Sequence, residues 1–220
     1  MKKIYTLLLL ALGTMTIAQA QVKFGVLGGL NLSVPVKSAG NVSDQRSMPG
    51  FYAGAMVDIP LSKFLSIQPG LQLSDKVQRI KDTYRLLSDG EYRTDKYKIT
   101  SSIYFIDLPV NMVFSKKMGK GKGFISVGPY LAMGLAGSTA YYYSSTDSKQ
   151  QTIEDKGKRF FGLTNYNNEY SDRLEIGFNF GAGYQFDNRI RVNAGYQYGL
   201  AGFYQIRMLQ FGVGYLFGHK

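Results

Sequence analysis

The chain has 220 residues, with 26 Lys and Arg against 15 Asp and Glu, a formal charge of +11, and no cysteine. Lack of cysteine excludes a disulfide scaffold and thiol chemistry, and the length suits one sizeable domain. The single histidine, His219, stands next to last and leaves a Ser-His or Asp-His mechanism little to work with.

Met1-Lys2-Lys3 is a basic start, and Ile4 to Leu12 is a short, leucine-rich apolar run. Ala18-Gln19-Ala20 then offers a small-residue cleavage site, which makes residues 1–20 a signal peptide and Gln21 the mature start. The apolar run is well short of the ~20 residues a spanning helix needs. Removing Lys2 and Lys3 from +11 leaves +9. An exported chain seldom meets nucleic acid, and the cations form no helical stripe, so phosphorylated lipid headgroups are the expected anionic neighbours.

Residues 21–220 read as one domain of eight strands, each alternating apolar with small or polar residues. The first, about Val22–Ser33, sets Val22, Phe24, Val26, Leu30 and Leu32 in phase. The second is about Gly50–Ile59, and the third, Phe64–Ser74, sets Leu65, Ile67, Leu71 and Leu73 against Ser66, Gln68, Gly70 and Gln72. The fourth, Thr100–Phe114, aligns Tyr104, Ile106, Leu108, Val110, Met112 and Phe114. Gly123–Ala136, Arg173–Phe186 and Ile190–Leu200 follow. In the last strand Leu209, Phe211, Val213, Tyr215 and Phe217 share a face against Gln210, Gly212 and Gly214, with Leu216 out of pattern.

Short connections at Pro60–Lys63, Ser115–Lys122 and Asp187–Arg189 alternate with long loops at Val34–Pro49, Asp75–Lys98 and Gly137–Asp172, plus a shorter fourth near Ala201–Tyr204. This predicts an all-β, single antiparallel up-and-down transmembrane barrel of about eight strands, with both termini periplasmic in a bacterial outer membrane. A mean hydropathy on the polar side is compatible, because only alternate residues would face lipid. A lipocalin-like soluble barrel would alternate too. The weaker face decides between them: it is Gly, Ser, Ala, Asn and Gln, which suits a tight lumen better than a solvated exterior. Phe51, Phe64, Phe124, Tyr184, Phe186 and Phe217, near strand ends, fit interfacial aromatic girdles.

Four stretches carry a family resemblance: Tyr104-Phe105-Ile106-Asp107-Leu108-Pro109-Val110, Gly128-Pro129-Tyr130, Phe178-Asn179-Phe180-Gly181-Ala182-Gly183-Tyr184 and Gly214-Tyr215-Leu216-Phe217. With these the chain resembles the PorT-like outer-membrane β-barrel family common in Bacteroidetes, over essentially Gln21–Phe217. The resemblance implies a barrel type and brings no catalytic residues. The terminal strand, with Tyr215 and Phe217, also resembles a barrel-assembly signal, although Gly218-His219-Lys220 follows it.

On the inward phase sit Lys23, Asp58, Asp107, Glu175 and Arg191. Charges in a narrow lumen must pair or meet water, so these read as a polar plug. Asp107-Leu108-Pro109 reads as a bulge, since proline cannot donate to the ladder. No metal or cofactor motif is present: the sequence has no HExxH and no acidic calcium loop. Tyr141-Tyr142-Tyr143, with Phe160-Phe161, Tyr166 and Tyr170, reads either as a loop surface for a protein or glycan partner or as a strand prolonged past the membrane. Expected partners are outer-membrane lipid and lipopolysaccharide, the assembly machinery, and a partner at the external loops. The leading function is non-enzymatic (adhesion, surface protection or a secretion-system component). The alternatives are a small channel and, less favoured, a lipid-modifying enzyme.

Overall fold

A computed structural model describes residues 22–34, 44–88, 91–146, 152–161, 174–202 and 207–218. The expected signal peptide, Tyr166, Tyr170 and His219 lie outside these residues. Among the described residues ten strands form one antiparallel sheet: β1 (Lys23–Ser33), β2 (Asp44–Ser47), β3 (Pro49–Pro60), β4 (Leu65–Ser88), β5 (Glu91–Met118), β6 (Gly121–Thr146), β7 (Thr152–Phe161), β8 (Leu174–Phe186), β9 (Ile190–Gly202) and β10 (Arg207–Phe217).

The sheet closes on itself. Pairings run β1 to β3, β4, β5, β6, β8, β9 and β10, and β10 returns to β1 from Phe24↔Phe217 to Ser33↔Met208. β2 lies beside β4 in the lane that β3 occupies lower down, and β7 lies beside β6 above β8. Closure leaves no open edge within the ring.

Side-chain period then sorts the residues. Outward residues are large and apolar: Phe24 is 62% exposed, Ile125 60% and Val213 58%. Such a continuous apolar exterior suits hydrocarbon, where every backbone group must be paired within the sheet. Inward positions are small, polar or tightly packed, including Tyr52, Phe105, Tyr130 and Met208. Leu216, out of pattern in the sequence, points inward and is buried.

The two ends differ. At one, short turns at residues 61–64, 119–120 and 187–189 join strands beside both Lys23 and Phe217. Gly119 takes φ 61° at the first position of its two-residue turn, which matches the right-handed twist of the flanking strands. At the other end the strands run on. Asp75–Lys98, expected as a loop, is the upper part of the β4–β5 hairpin, paired from Asp75↔Tyr104 to Ser88↔Glu91. Gly137–Asp172 likewise contains the end of β6 and all of β7, and Val34–Pro49 contains β2. These stretches are charged, so their pairing is invisible to an apolar-alternation reading.

Two register shifts mark the rim where barrel becomes hairpin. One falls between Tyr104 and Phe105 against β6, and the other between Ile176 and Gly177 against β9. The first leaves Leu135 unpaired as an extra residue, and every side chain of β6 above it changes face. The expected bulge at Asp107-Leu108-Pro109 is absent, because Asp107↔Ala132 and Pro109↔Tyr130 keep one register.

Candidate functional site

Two regions gather the chemistry: the lumen, and the sheet that rises above the rim. The upper lumen is organised by Lys76, which is 1% exposed. Its ammonium donates to Glu175 Oε1 at 3.0 Å and stands 3.3 Å from Asp107 Oδ1, an ion contact without hydrogen-bond geometry. Tyr130 donates to Glu175 Oε1 at 2.7 Å, and Ser74 to Asp107 Oδ2 at 2.7 Å. The Phe105 and Tyr130 rings lie 4.5 and 5.2 Å from the ammonium, adding cation–π attraction. Tyr130 has room because Gly177 lies against its ring, where a β-carbon would come within 2.6 Å. Removing one partner from such a set costs about 3–5 kcal/mol, since it strands a buried charge.

A second layer lies toward the turn end. Arg191 donates through Nη1 to Gln68 Oε1 at 2.8 Å, and Gln68 Nε2 donates to Asp58 Oδ1 at 2.9 Å. The amide thus links cation to carboxylate. The guanidinium also stacks 3.6 Å from the centroid of Phe124, whose ring fills the space left by Gly183. Phe124 is therefore no girdle residue: it has the inward parity of β6 and is 7% exposed. Phe51, Phe64, Phe186 and Phe217 are exposed on the exterior, and Tyr184 stacks edge-on with Phe186 while donating to the Met118 carbonyl. Beside the lower layer is a cavity of about 80 Å³, with Gln68, Arg191, Asn111, Asn179 and Gln210 among its walls, large enough for several waters.

Of the five lumen charges expected from the sequence, Asp107 and Glu175 meet in the upper layer, and Asp58 and Arg191 in the lower. Lys23 stands apart, in register with Asp58 and lining a cavity at the turn end. Sequence reasoning missed Lys76. The signal was present, since Ser66, Gln68, Gly70, Gln72, Ser74 and Lys76 share one parity.

Above the rim, β2, β4, β5, β6 and β7 make a wall of paired strands. The Leu135 bulge divides the tyrosine run between its faces. Tyr141 and Tyr143 continue the lumen phase, and Tyr142 points outward and donates to Glu154 at 2.7 Å. On the inner face Tyr143 packs 4.8 Å from Tyr97, which meets Tyr84 edge-on at 6.0 Å. Arg93 donates to Tyr143 Oη at 2.6 Å, Ser145 Oγ at 2.7 Å and Asp95 Oδ1 at 2.8 Å. The Ser145 hydroxyl and then Arg93 hold the Asp95 carboxyl below the usual carboxylate range. The side chains of Phe160 and Phe161 lie outside the described residues. On β10, Tyr215 and Phe217 face outward, their centroids 5.0 Å apart.

Comparison with known proteins adds the family. Among solved structures, the chain is similar to Ail, the attachment invasion locus protein of Yersinia pestis, at 13% identity, covering 90% of this chain and 99% of that one with a TM-score of 0.33. It is also similar to the translocator domain of the autotransporter NalP from Neisseria meningitidis, at 9% identity, covering 98% and 95% with a TM-score of 0.27. No curated protein matches the sequence. The model of the outer membrane protein beta-barrel domain matches residues 17–205. The chain belongs to that family, a bacterial outer-membrane β-barrel built from one up-and-down antiparallel sheet.

Proposed function

We propose that this protein is a non-enzymatic outer-membrane barrel with a plugged lumen, which displays the hairpin wall outside the cell as a binding surface. The observation that carries this reading is the inner face of the wall, where Tyr84, Tyr97 and Tyr143 form a row of rings beside Arg93 and Asp95. Aromatic rings and a guanidinium are the side chains most often used as anchors at protein interfaces. Flat rings edged by fixed donors and acceptors also suit a glycan. Adhesion, surface protection and service in a secretion system all use such a surface, and the PorT-like resemblance favours the last.

Orientation follows from loop length. Outer-membrane barrels keep short turns in the periplasm and long connections outside, which puts both termini in the periplasm. Residues 1–20 act as the export signal, and Tyr215 and Phe217 on β10 serve as the handle for the assembly machinery. The two charged layers support the plug, because their paired side chains, with Tyr130 and Phe124, take up space in the lumen. A small channel is the alternative, and it is disfavoured because the lumen of a narrow barrel is filled by side chains.

The test pairs one measurement on purified protein with one on whole cells. In planar bilayers the plugged barrel gives no stable conductance steps, and reproducible steps would replace this reading with the channel. On whole cells, Tyr97→Ala/Tyr143→Ala abolishes adhesion to glycan- or protein-coated surfaces while surface display is unchanged. Equal adhesion by the variant removes the aromatic row from the function.

A further inference from the structure

The outward face of the wall carries a second surface of opposite character. On β5 the apolar outward phase runs from Phe114 to Tyr104, and the same phase continues through Thr100, Lys98 and Lys96. Register brings neighbouring strands into line. Arg79 pairs with Thr100, which leads across Ala140 to Lys158; Lys81 pairs with Lys98, which leads across Tyr142 to Lys156. Six cations thus occupy three successive rows directly above the lipid-facing band. Lys96, Lys98, Lys156 and Lys158 are exposed, and Arg79 and Lys81 are half-buried.

Acidic residues are distributed unequally. Asp82, Asp95 and Asp155 have the inner parity. Among the described residues the outward phase holds Glu154, which accepts from Tyr142, and the backbone of Asp44 is in register with Lys81; Asp75 is buried at the rim and accepts from Ser102. The height of the band is set by strand geometry. Thr100 and Lys98 lie four and six residues beyond Tyr104, or roughly 10–15 Å above the apolar edge at about 3.4 Å per residue and a strand tilt of about 40°. Lysine stems reach back from there to the headgroup layer.

We propose that this outward band clamps the phosphorylated headgroups of outer-leaflet lipid, holding a phosphorylated saccharide lipid against β4, β5, β6 and β7. The idea rests on the orientation proposed above and deepens it by naming a ligand class and its residues. Charge complementarity selects the occupant. A membrane-anchored phosphate is already at this height and beside this face, and each cation near an anionic surface adds comparably to the attraction. Tyr142, between the lysine-bearing strands β5 and β7, supplies a ring against which a sugar can stack.

The experiment uses the full mature barrel, extracted in mild detergent, with native mass spectrometry of retained lipid. The probes are bis-phosphorylated lipid A and the same lipid after removal of both phosphates. Wild type retains the phosphorylated form on the order of a hundredfold better, and Lys81→Gln/Lys98→Gln/Lys156→Gln brings the two within a few-fold. Arg93→Gln, on the inner face, leaves the preference intact. Heat-modifiable gel mobility confirms that each variant is folded, and the comparison of the two lipids in wild type needs no variant at all. Equal retention of both lipids by wild type, or an undiminished preference in the triple variant, overturns the proposal. Displacement of lipid A by micromolar inositol hexakisphosphate also overturns it, in favour of a soluble polyanion site. Orientation is tested separately: the cysteine-free chain allows Thr83→Cys to be labelled by an impermeant maleimide on intact cells, and lack of labelling overturns the orientation reading whatever the lipid result.

Discussion

The barrel and the wall are one continuous sheet with opposite dress. On β4, outward residues are apolar through Leu73 and become Arg79, Lys81 and Arg85 above it, while inward residues change from Ser66, Gln68 and Gln72 to Ile80 and Tyr84. β5 repeats the inversion, with Leu108, Ile106 and Tyr104 outside the barrel and Lys98 and Lys96 outside the wall. Geometry does not change at the boundary; the surroundings do. Lipid outside the barrel favours apolar side chains there, and water outside the wall favours charge, so the rings of Tyr84 and Tyr97 stand on the inner face instead, where they remain exposed. The height at which polarity inverts marks the membrane surface on the molecule.

The largest expected effect lies at that height. Lys76→Met leaves Glu175 and Asp107 buried without their cation and should cost about 3–5 kcal/mol of barrel stability, measured by urea titration in lipid vesicles. A loss below about 1 kcal/mol would mean that water, and not Lys76, compensates these carboxylates. Next comes the lipid face itself. Val213→Arg should cost roughly 2–4 kcal/mol in the same assay, whereas Gln210→Arg, on the lumen face beside other amides, should cost less. Greater damage at Gln210 would reverse inside and outside. On the wall the same change should be almost silent: Thr83→Arg is expected within about 0.5 kcal/mol of wild type. A penalty comparable to that at Val213 would place the wall inside hydrocarbon.

The smallest effect concerns pH. Asp95 has a depressed pKa in the folded hairpin, so its contribution is present above the ordinary carboxylate value and is lost as pH falls through the lowered one. Carboxyl carbon shifts followed by NMR should show Asp95 titrating below the ordinary value of about 4, and Arg93→Ala should move it upward. An unchanged titration would assign the depression to the Ser145 hydroxyl alone.

The inversion also explains what the sequence made readable. Runs such as Leu209–Phe217 and Leu174–Phe186 alternate large apolar with small residues for the height of the membrane, so their phase and pairing order could be read directly. Above Ser74 the pattern is Asp, Lys, Val, Gln, Arg, Ile, Lys, and a reader following apolar periodicity loses the strand where lipid ends. Lys76 was missed for this reason, although its carboxylate partners Asp107 and Glu175 were picked out. Tyr141, Tyr142 and Tyr143 could be singled out as aromatic, but their division between two faces depends on Leu135, and nothing in Leu135 itself announces a bulge. Phe124 was misplaced because nearness to a strand end was weighed above its parity.

That bulge has a further consequence. Leu135 is the one residue by which β6 exceeds β5 across the rim, so the count of residues below and above it need not agree in parity. The joint lets the upper hairpins gain or lose a residue at this point while every side chain in the ring keeps its aspect. Lineages and engineers can therefore vary the displayed surface independently of the membrane-embedded frame. A one-residue deletion at Leu135 should be absorbed silently, whereas one at Leu131, within regular pairing, would have to be taken up by sliding the joint or by turning lipid-facing residues inward.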